Sequence, residues 1–112
     1  MAINIGSKET LDEYIKQPDA VVVIDFWAPW CGPCRIFGPK FDEAATAFDD
    51  ESIKFVKVNT DEHSEIAKDH EVVSIPTVIY YKNGEIVRRE NGVAEAKDVI
   101  KNVKELTTES VT

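Results

Sequence analysis

Sulfur is scarce in this sequence: two cysteines and one methionine among 112 residues. Two cysteines cannot build the disulfide framework that holds small secreted domains together. None is needed, because a chain of this length buries roughly 60–70% of its unfolded surface on folding. Positive charge is also short, with 13 Lys and Arg against 21 Asp and Glu and a net charge of −8. Nucleic acid and anionic membranes are recognised by clustered Lys and Arg, so neither is expected as a partner. The longest uninterrupted apolar run, Ala20 to Ile24, falls far short of the ~20 residues that span a bilayer. The stretch from Met1 to Ser7 lacks the basic and apolar regions of a secretory signal, which makes the cytoplasm the expected compartment. A close cysteine pair there serves catalysis or metal binding more often than structure. Repeats, linkers and low-complexity segments are missing too. Residues 1–112 therefore read as one domain, with 107–112 a polar, frayed tail.

Both cysteines lie in one stretch, Trp30-Cys31-Gly32-Pro33-Cys34, directly after the apolar run Val21-Val22-Val23-Ile24-Asp25-Phe26-Trp27. The sequence beyond Cys34 has a helical pattern, so two thiols stand where a buried strand hands over to a helix. A helix N-terminus presents unpaired N–H groups and partial positive charge, which favour a thiolate at Cys31. A thiol of pKa about 8.5 is only ~3% ionised at pH 7. A helix terminus worth up to ~2 kcal/mol lowers that pKa by up to ~1.5 units, so no basic side chain is required, although Arg35 is near enough in sequence to help.

Taken in order, Ile3 and Ile5 alternate with polar residues as a short strand. Ser7 is a suitable N-cap for a helix with Leu11, Tyr14 and Ile15 on its apolar face, ended by Pro18. The β-branched run from Ala20 to Trp27 suits a strand buried on both faces. A helix is expected from about Cys34 to Phe48, lined by Phe37, Phe41, Ala44, Ala45 and Phe48 and kinked at Pro39. A strand over Ile53–Asn59 follows, then a short helix over Glu62–His70 capped by Thr60 or Asp61, then a strand over Thr77–Lys82. Asn83-Gly84 is a strong hairpin signal joining that strand to Ile86–Glu90. Gly92 breaks the chain, and Ala94–Leu106 is a last helix with Val99, Ile100, Val103 and Leu106 facing inward. The order βαβαβαββα implies a mixed sheet with helices on both faces.

Asp25-Phe26-Trp27-Ala28 leading into Trp30-Cys31-Gly32-Pro33-Cys34, Pro39 in the next helix, Ile75-Pro76-Thr77 before a strand, and Lys82-Asn83-Gly84 with Gly92 beyond it together resemble the thioredoxin family over nearly the whole chain. A lone CxxC is a weak signal; this combination is specific. The resemblance implies an α/β thioredoxin fold with a mixed central sheet flanked by helices on both faces. It implies a thiol–disulfide oxidoreductase that reduces protein disulfides through a reversible Cys31–Cys34 pair, acting in electron transport and cell redox homeostasis. It also implies a cis bond before Pro76, where the residues alone suggest a trans proline opening a strand. No cofactor is expected to be bound. Recycling would fall to a thioredoxin reductase passing electrons from NADPH through its flavin. The protein would be a monomer whose partners are that reductase and disulfide-containing targets. Phe37, Gly38, Ser74 and Asn91 depart from the commonest family pattern and bear on target preference rather than on the chemistry.

Each candidate residue has a role and a plainer alternative. Cys31 is the nucleophile. Cys34, one turn further in and expected to be less exposed, is the resolving thiol that attacks the mixed disulfide. Gly32 permits close backbone approach, and Pro33 restricts the loop without an N–H to satisfy. Asp25 interrupts an apolar strand; burial would raise its pKa and let it take a proton from Cys34. The alternative is a carboxylate at a strand end. Lys57, on the next strand, is expected either to pair with Asp25 or to be a solvated lysine. On the resemblance, Trp30, Ile75, Gly92 and Val93 form the surface that takes a target, with Ile75 offering backbone groups to an extended peptide. Trp27 reads as core, and His63 and His70 read as solvated surface. Asp61 and Glu62 read as solvent-facing residues of caps and turns. A zinc site would have to recruit those two histidines, and their spacing from Cys34 does not fit a closed four-ligand site. A rival function of another class, a binding subunit whose thiols are incidental, would leave Asp25 and Ile75-Pro76 without purpose. A disulfide oxidase or isomerase would be expected with a secretory signal and a different central dipeptide.

Overall fold

The computed structural model describes residues 2–109. Nine elements follow the expected order: β1 (Ile3–Asn4), α1 (Lys8–Ile15), β2 (Val21–Trp27), α2 (Gly32–Ala45), β3 (Ile53–Asn59), α3 (Ser64–Asp69), β4 (Thr77–Lys82), β5 (Glu85–Asn91) and α4 (Ala96–Glu109). The five strands form one sheet in the order β1-β3-β2-β4-β5. β1 and β2 run parallel to β3, β4 runs antiparallel to β2, and β5 antiparallel to β4. The outermost strands are poor templates for further pairing. β1 has two residues, and β5 carries Arg88, Arg89 and Glu90. This is the mixed sheet with helices that the resemblance implies.

Strand alternation assigns side chains to two cores. Val21 and Val23 of β2 point with Phe55 and Tyr80 into the layer filled by Phe37, Phe41, Val99 and Val103 of α2 and α4. Val22, Ile24 and Phe26 point the other way with Val56, Val58 and Ile79, against Leu11 of α1 and Ile66 of α3. β2 is buried on both faces, as its continuous apolar run requires. The same parity places Asp25 on the Val21/Val23 face, beneath α2, and places Lys57 on the face of Phe55. Asp25 and Lys57 are also register partners in the parallel β2–β3 ladder.

Local signals account for the turns. Ser7 accepts the backbone N–H of Thr10 at 3.2 Å and caps α1. Asn83 and Gly84 both have positive φ, 51° and 81°, as a tight two-residue hairpin demands. Several boundaries differ from expectation: α4 begins at Ala96 rather than Ala94, and β5 spans Glu85–Asn91 rather than Ile86–Glu90. α2 begins at Gly32, because the Cys31 sulfur itself serves as the cap acceptor and Pro33 is tolerated in a first turn. It ends at Ala45, where the Thr46 hydroxyl donates to the Glu43 carbonyl at 2.6 Å. Ala47 and Phe48 continue as turns that reach back three residues. Phe48 still packs on the core, its ring stacked on Phe55 at 5.8 Å. α3 starts at Ser64 because both expected caps are engaged elsewhere: Thr60 donates to the Trp27 carbonyl and Asp61 accepts from Trp30. α4 runs to Glu109, so residues 107–109 are helical rather than frayed, and 110–112 lie outside the described residues.

Candidate active site

The chain leaves β2 at Trp27, crosses Ala28 to Trp30, and enters α2 with Cys31 as N-cap in extended conformation. Cys31 and Cys34 are joined as a disulfide, with Cα atoms 5.2 Å apart. The backbone N–H of Cys34 donates to the Cys31 sulfur at 3.2 Å. That donor is one of the unpaired N–H groups of the helix start, so after reduction negative charge is best accommodated on this sulfur. The cysteines do not differ in exposure in this disulfide form, each being 4% exposed. What separates them is place: Cys31 at the helix cap, Cys34 one turn inside. Ala28, with Trp27 and Ile75, packs around the two sulfurs.

Across from the cap lies the loop before β4. The Ile75–Pro76 bond is cis, and the Ile75 carbonyl oxygen stands 3.8 Å from the Cys31 sulfur. Gly92, at φ 88°, donates its N–H to the Pro76 carbonyl at 2.8 Å, which brings the loop after β5 alongside. Three large apolar side chains around this junction are left in water: Trp30 at 67% exposure, Val73 at 93% and Val93 at 43%. Val73 was not foreseen. Its signal was an apolar residue in a loop between turn residues, which resembles any short buried run. Trp30 does not swing freely, because its indole N–H donates to both carboxylate oxygens of Asp61, at 3.1 and 3.2 Å. Asp61 is thus an anchor for Trp30 and not merely a solvent-facing turn residue. Arg35 lends no charge to the sulfur through a direct bond; its guanidinium donates twice to the Pro29 carbonyl, at 3.1 and 3.0 Å.

Beneath the disulfide, Asp25 is 1% exposed and its Oδ1 has no hydrogen-bond partner. Burial pushes its pKa up from 3.8 to about 7; the Lys57 ammonium opposes the rise and the Asp42 carboxylate adds to it. Of the two readings of Lys57, the ion pair with Asp25 is not formed. Lys57 pairs instead with Asp42, Nζ to Oδ1 at 3.5 Å, and acts on Asp25 only as a nearby charge. Asp42 sits on the exposed flank of α2, where the lysine reaches it without being desolvated further. Asp25, Cys34, Gly38, Asp42 and Lys57 share the lining of one cleft of about 260 Å³, so the carboxyl, the inner cysteine and solvent meet in a single space. Trp27 borders this cleft, its ring centroid 5.8 Å from Lys57 Nζ and its indole N–H buried without a partner. It lies under the sulfurs rather than in the main core.

The histidines differ from expectation. His70 is not solvated surface. Its Nδ1–H donates to the Ile66 carbonyl at 2.8 Å, its Nε2 meets the Tyr81 hydroxyl at 2.7 Å, and its ring lies 5.3 Å from that of Phe26. His63 is only partly exposed and stands before α3 without capping it through its side chain. Among the described residues, no group of three or more His, Cys, Asp and Glu converges as a metal site.

With this geometry in hand, the chain can be set beside known proteins. The family model described as Thioredoxin matches residues 2–105. The thioredoxin of Mycoplasma genitalium is 39% identical over 100 residues, covering 89% of this chain and 95% of that protein. Thioredoxin 1 of Nostoc sp. is 45% identical over 78 residues, covering 70% and 72%. Among solved structures, the thioredoxin of Malassezia sympodialis superposes with a TM-score of 0.83 at 32% identity, covering 96% of this chain and 91% of that one. A chain from a structure concerning the thiol resolving mechanism in yeast mitochondrial 1-Cys peroxiredoxin via glutathione/thioredoxin systems superposes with a TM-score of 0.80 at 31% identity, covering 93% and 94%.

Proposed function

The chain belongs to the thioredoxin family, and from that membership we propose how its residues divide the work. The activity is thiol–disulfide oxidoreduction, in which the Cys31–Cys34 pair reduces disulfides of target proteins. In the reduced protein the Cys31 thiolate attacks one sulfur of the target disulfide. A mixed disulfide forms, and the other target sulfur leaves as a thiolate and takes a proton. Cys34 then gives its proton to ionised Asp25 and attacks the Cys31 sulfur. The Cys31–Cys34 bond forms, the mixed disulfide breaks, and the second target thiolate leaves. Two electrons have passed from the protein to the target. A carboxyl whose pKa lies near 7 takes up and returns a proton close to neutral pH with little driving force wasted either way. Lys57 tunes Asp25 by its charge. Gly32 and Pro33 shape the turn, and Pro76 presents Ile75. Trp30, Ile75, Gly92 and Val93 receive the target segment, with the Ile75 backbone as the edge to which an extended peptide adds.

The observation that carries this reading is the Cys31 sulfur at the cap of α2, taking an N–H of the helix start and facing the Ile75 carbonyl. A thioredoxin reductase is the electron donor in this reading, passing electrons from NADPH through a flavin. The cytoplasm is the compartment, and the protein works as a monomer in electron transport. Neither cysteine is spent on holding the fold, which supports a compartment where thiols are kept reduced. Reduction of insulin disulfides by NADPH and a thioredoxin reductase, set beside a glutathione-driven system, tests the donor. Turnover is expected in the first system and only slow turnover in the second; the reverse would remove the reductase from the scheme.

A further inference from the structure

Two polar side chains meet beside the exposed apolar surface around Cys31. Asn91 Nδ2 donates to the Ser74 hydroxyl oxygen at 2.8 Å. Ser74 directly precedes Ile75 and the cis bond, and Asn91 directly precedes Gly92. Both positions are held through the backbone. The Ser74 carbonyl accepts the Thr77 hydroxyl at 2.6 Å, Asn91 is the register partner of Thr77, and Gly92 bonds to Pro76. The side-chain bond therefore ties the end of β5 to the loop before β4, beside the Ile75 carbonyl that faces Cys31. Both bridge residues are exposed, while their neighbours Val73 and Val93 offer only apolar contact.

The bond uses one amide proton of Asn91 and one lone pair of Ser74. The pair thus still offers a donor, the Ser74 hydroxyl proton, and an acceptor, the Asn91 carboxamide oxygen. Apolar contact is non-directional and discriminates weakly between targets of similar size. A fixed donor and acceptor discriminate by what is lost when an apolar group seals them from water unpaired. We propose that the Ser74–Asn91 bridge determines specificity in target binding, favouring disulfides flanked by a side-chain amide or hydroxyl and disfavouring those flanked by large apolar side chains. This rests on the reading of Ile75, Trp30 and Val93 as the target surface. A segment docked along the Ile75 backbone passes next to Ser74, the residue that precedes it.

Two disulfide peptides test the proposal, identical except for asparagine or the near-isosteric leucine on both sides of the attacked cysteine. The unaltered protein is expected to reduce the asparagine peptide with a kcat/KM about threefold to tenfold higher, the range of one net hydrogen bond. Asn91→Leu and Ser74→Ala should each bring that ratio to one or below, and the double variant should do no more than either. Ser74→Thr, which keeps the hydroxyl, should retain the preference. A ratio is insensitive to how much of a variant is folded. A ratio of one in the unaltered protein, or one that survives Asn91→Leu, overturns the proposal while leaving the target surface standing, because both peptides are still reduced. If insulin is reduced and neither peptide is, the target-surface reading fails and the proposal falls with it.

Discussion

Asp25 is a carboxyl group that folding favours in its neutral form. Unfolded, it ionises near 3.8; folded, it keeps its proton to about 7 because it is buried with one oxygen unpartnered. Between those values the native state binds more protons than the unfolded state, so stability falls as pH rises through that window and then levels off. At about 1.4 kcal/mol per unit, the penalty is on the order of 1–2 kcal/mol at pH 5 and about 4 kcal/mol at pH 8.5. Asp25→Asn removes the charge and keeps the shape. Urea melts of the oxidised proteins should show the Asn variant more stable, with an advantage that grows from pH 5 to pH 8.5, while its mixed disulfides resolve more slowly. An Asn variant less stable at both pH values, with unchanged exchange rates, would leave Asp25 an ordinary structural carboxylate. This residue was legible in the sequence because it breaks an apolar strand; that its face lies under the helix of Cys34 is seen only in the folded packing. Lys57 was legible as a neighbour but not as a partner of Asp42, since that choice depends on how far a flexible side chain reaches. His70 was not legible: Phe26 and Tyr81, which enclose it, come from strands distant in sequence.

The helix α2 turns a pair of cysteines into two unlike groups. Both are equally enclosed in the disulfide, and what distinguishes them there is their place on the helix. On reduction, Cys31 at the cap faces the N–H of Cys34, while Cys34 lies inside the first turn. One equivalent of an alkylating agent near neutral pH should therefore modify Cys31 well before Cys34. Peptide mapping with Cys34 labelled first would reverse the assignment. Pro39 leaves the Arg35 carbonyl without its intrahelical donor, yet the helix is continuous from Gly32 to Ala45. The helix itself could be read from the spacing of Phe37, Phe41, Ala44 and Ala45, but its first residue could not. Cysteine is an uncommon cap, and only the folded turn shows its sulfur receiving the N–H. The cap of α3 was misread for a similar reason. Thr60 and Asp61 are good capping residues, but β2 and Trp30 claim them first.

In the whole molecule, a five-stranded sheet separates two cores and brings its chemistry to one end. β2 and β3 run parallel, so Trp27 and Asn59 end at the same edge of the sheet, and antiparallel β4 begins there at Thr77. That is why residues as distant as Asp25, Cys31, Asp61 and Ile75 meet. The continuous apolar run of β2 made its two-sided burial and central place legible, and the structure sets it between β3 and β4; the order of the other strands was not legible, because alternation of strands and helices does not fix it. The net charge of −8 disfavours electrostatic capture of nucleic acid. In the proposed division of labour Cys31 attacks and Cys34 resolves. Cys34→Ser tests it most directly: incubated with insulin or a disulfide peptide, the variant should accumulate a stable mixed disulfide on Cys31, seen by mass and located by peptide mapping, with turnover lost. Insulin reduction by Cys34→Ser at the normal rate, or an adduct that forms through Cys34 in Cys31→Ser instead, would contradict it.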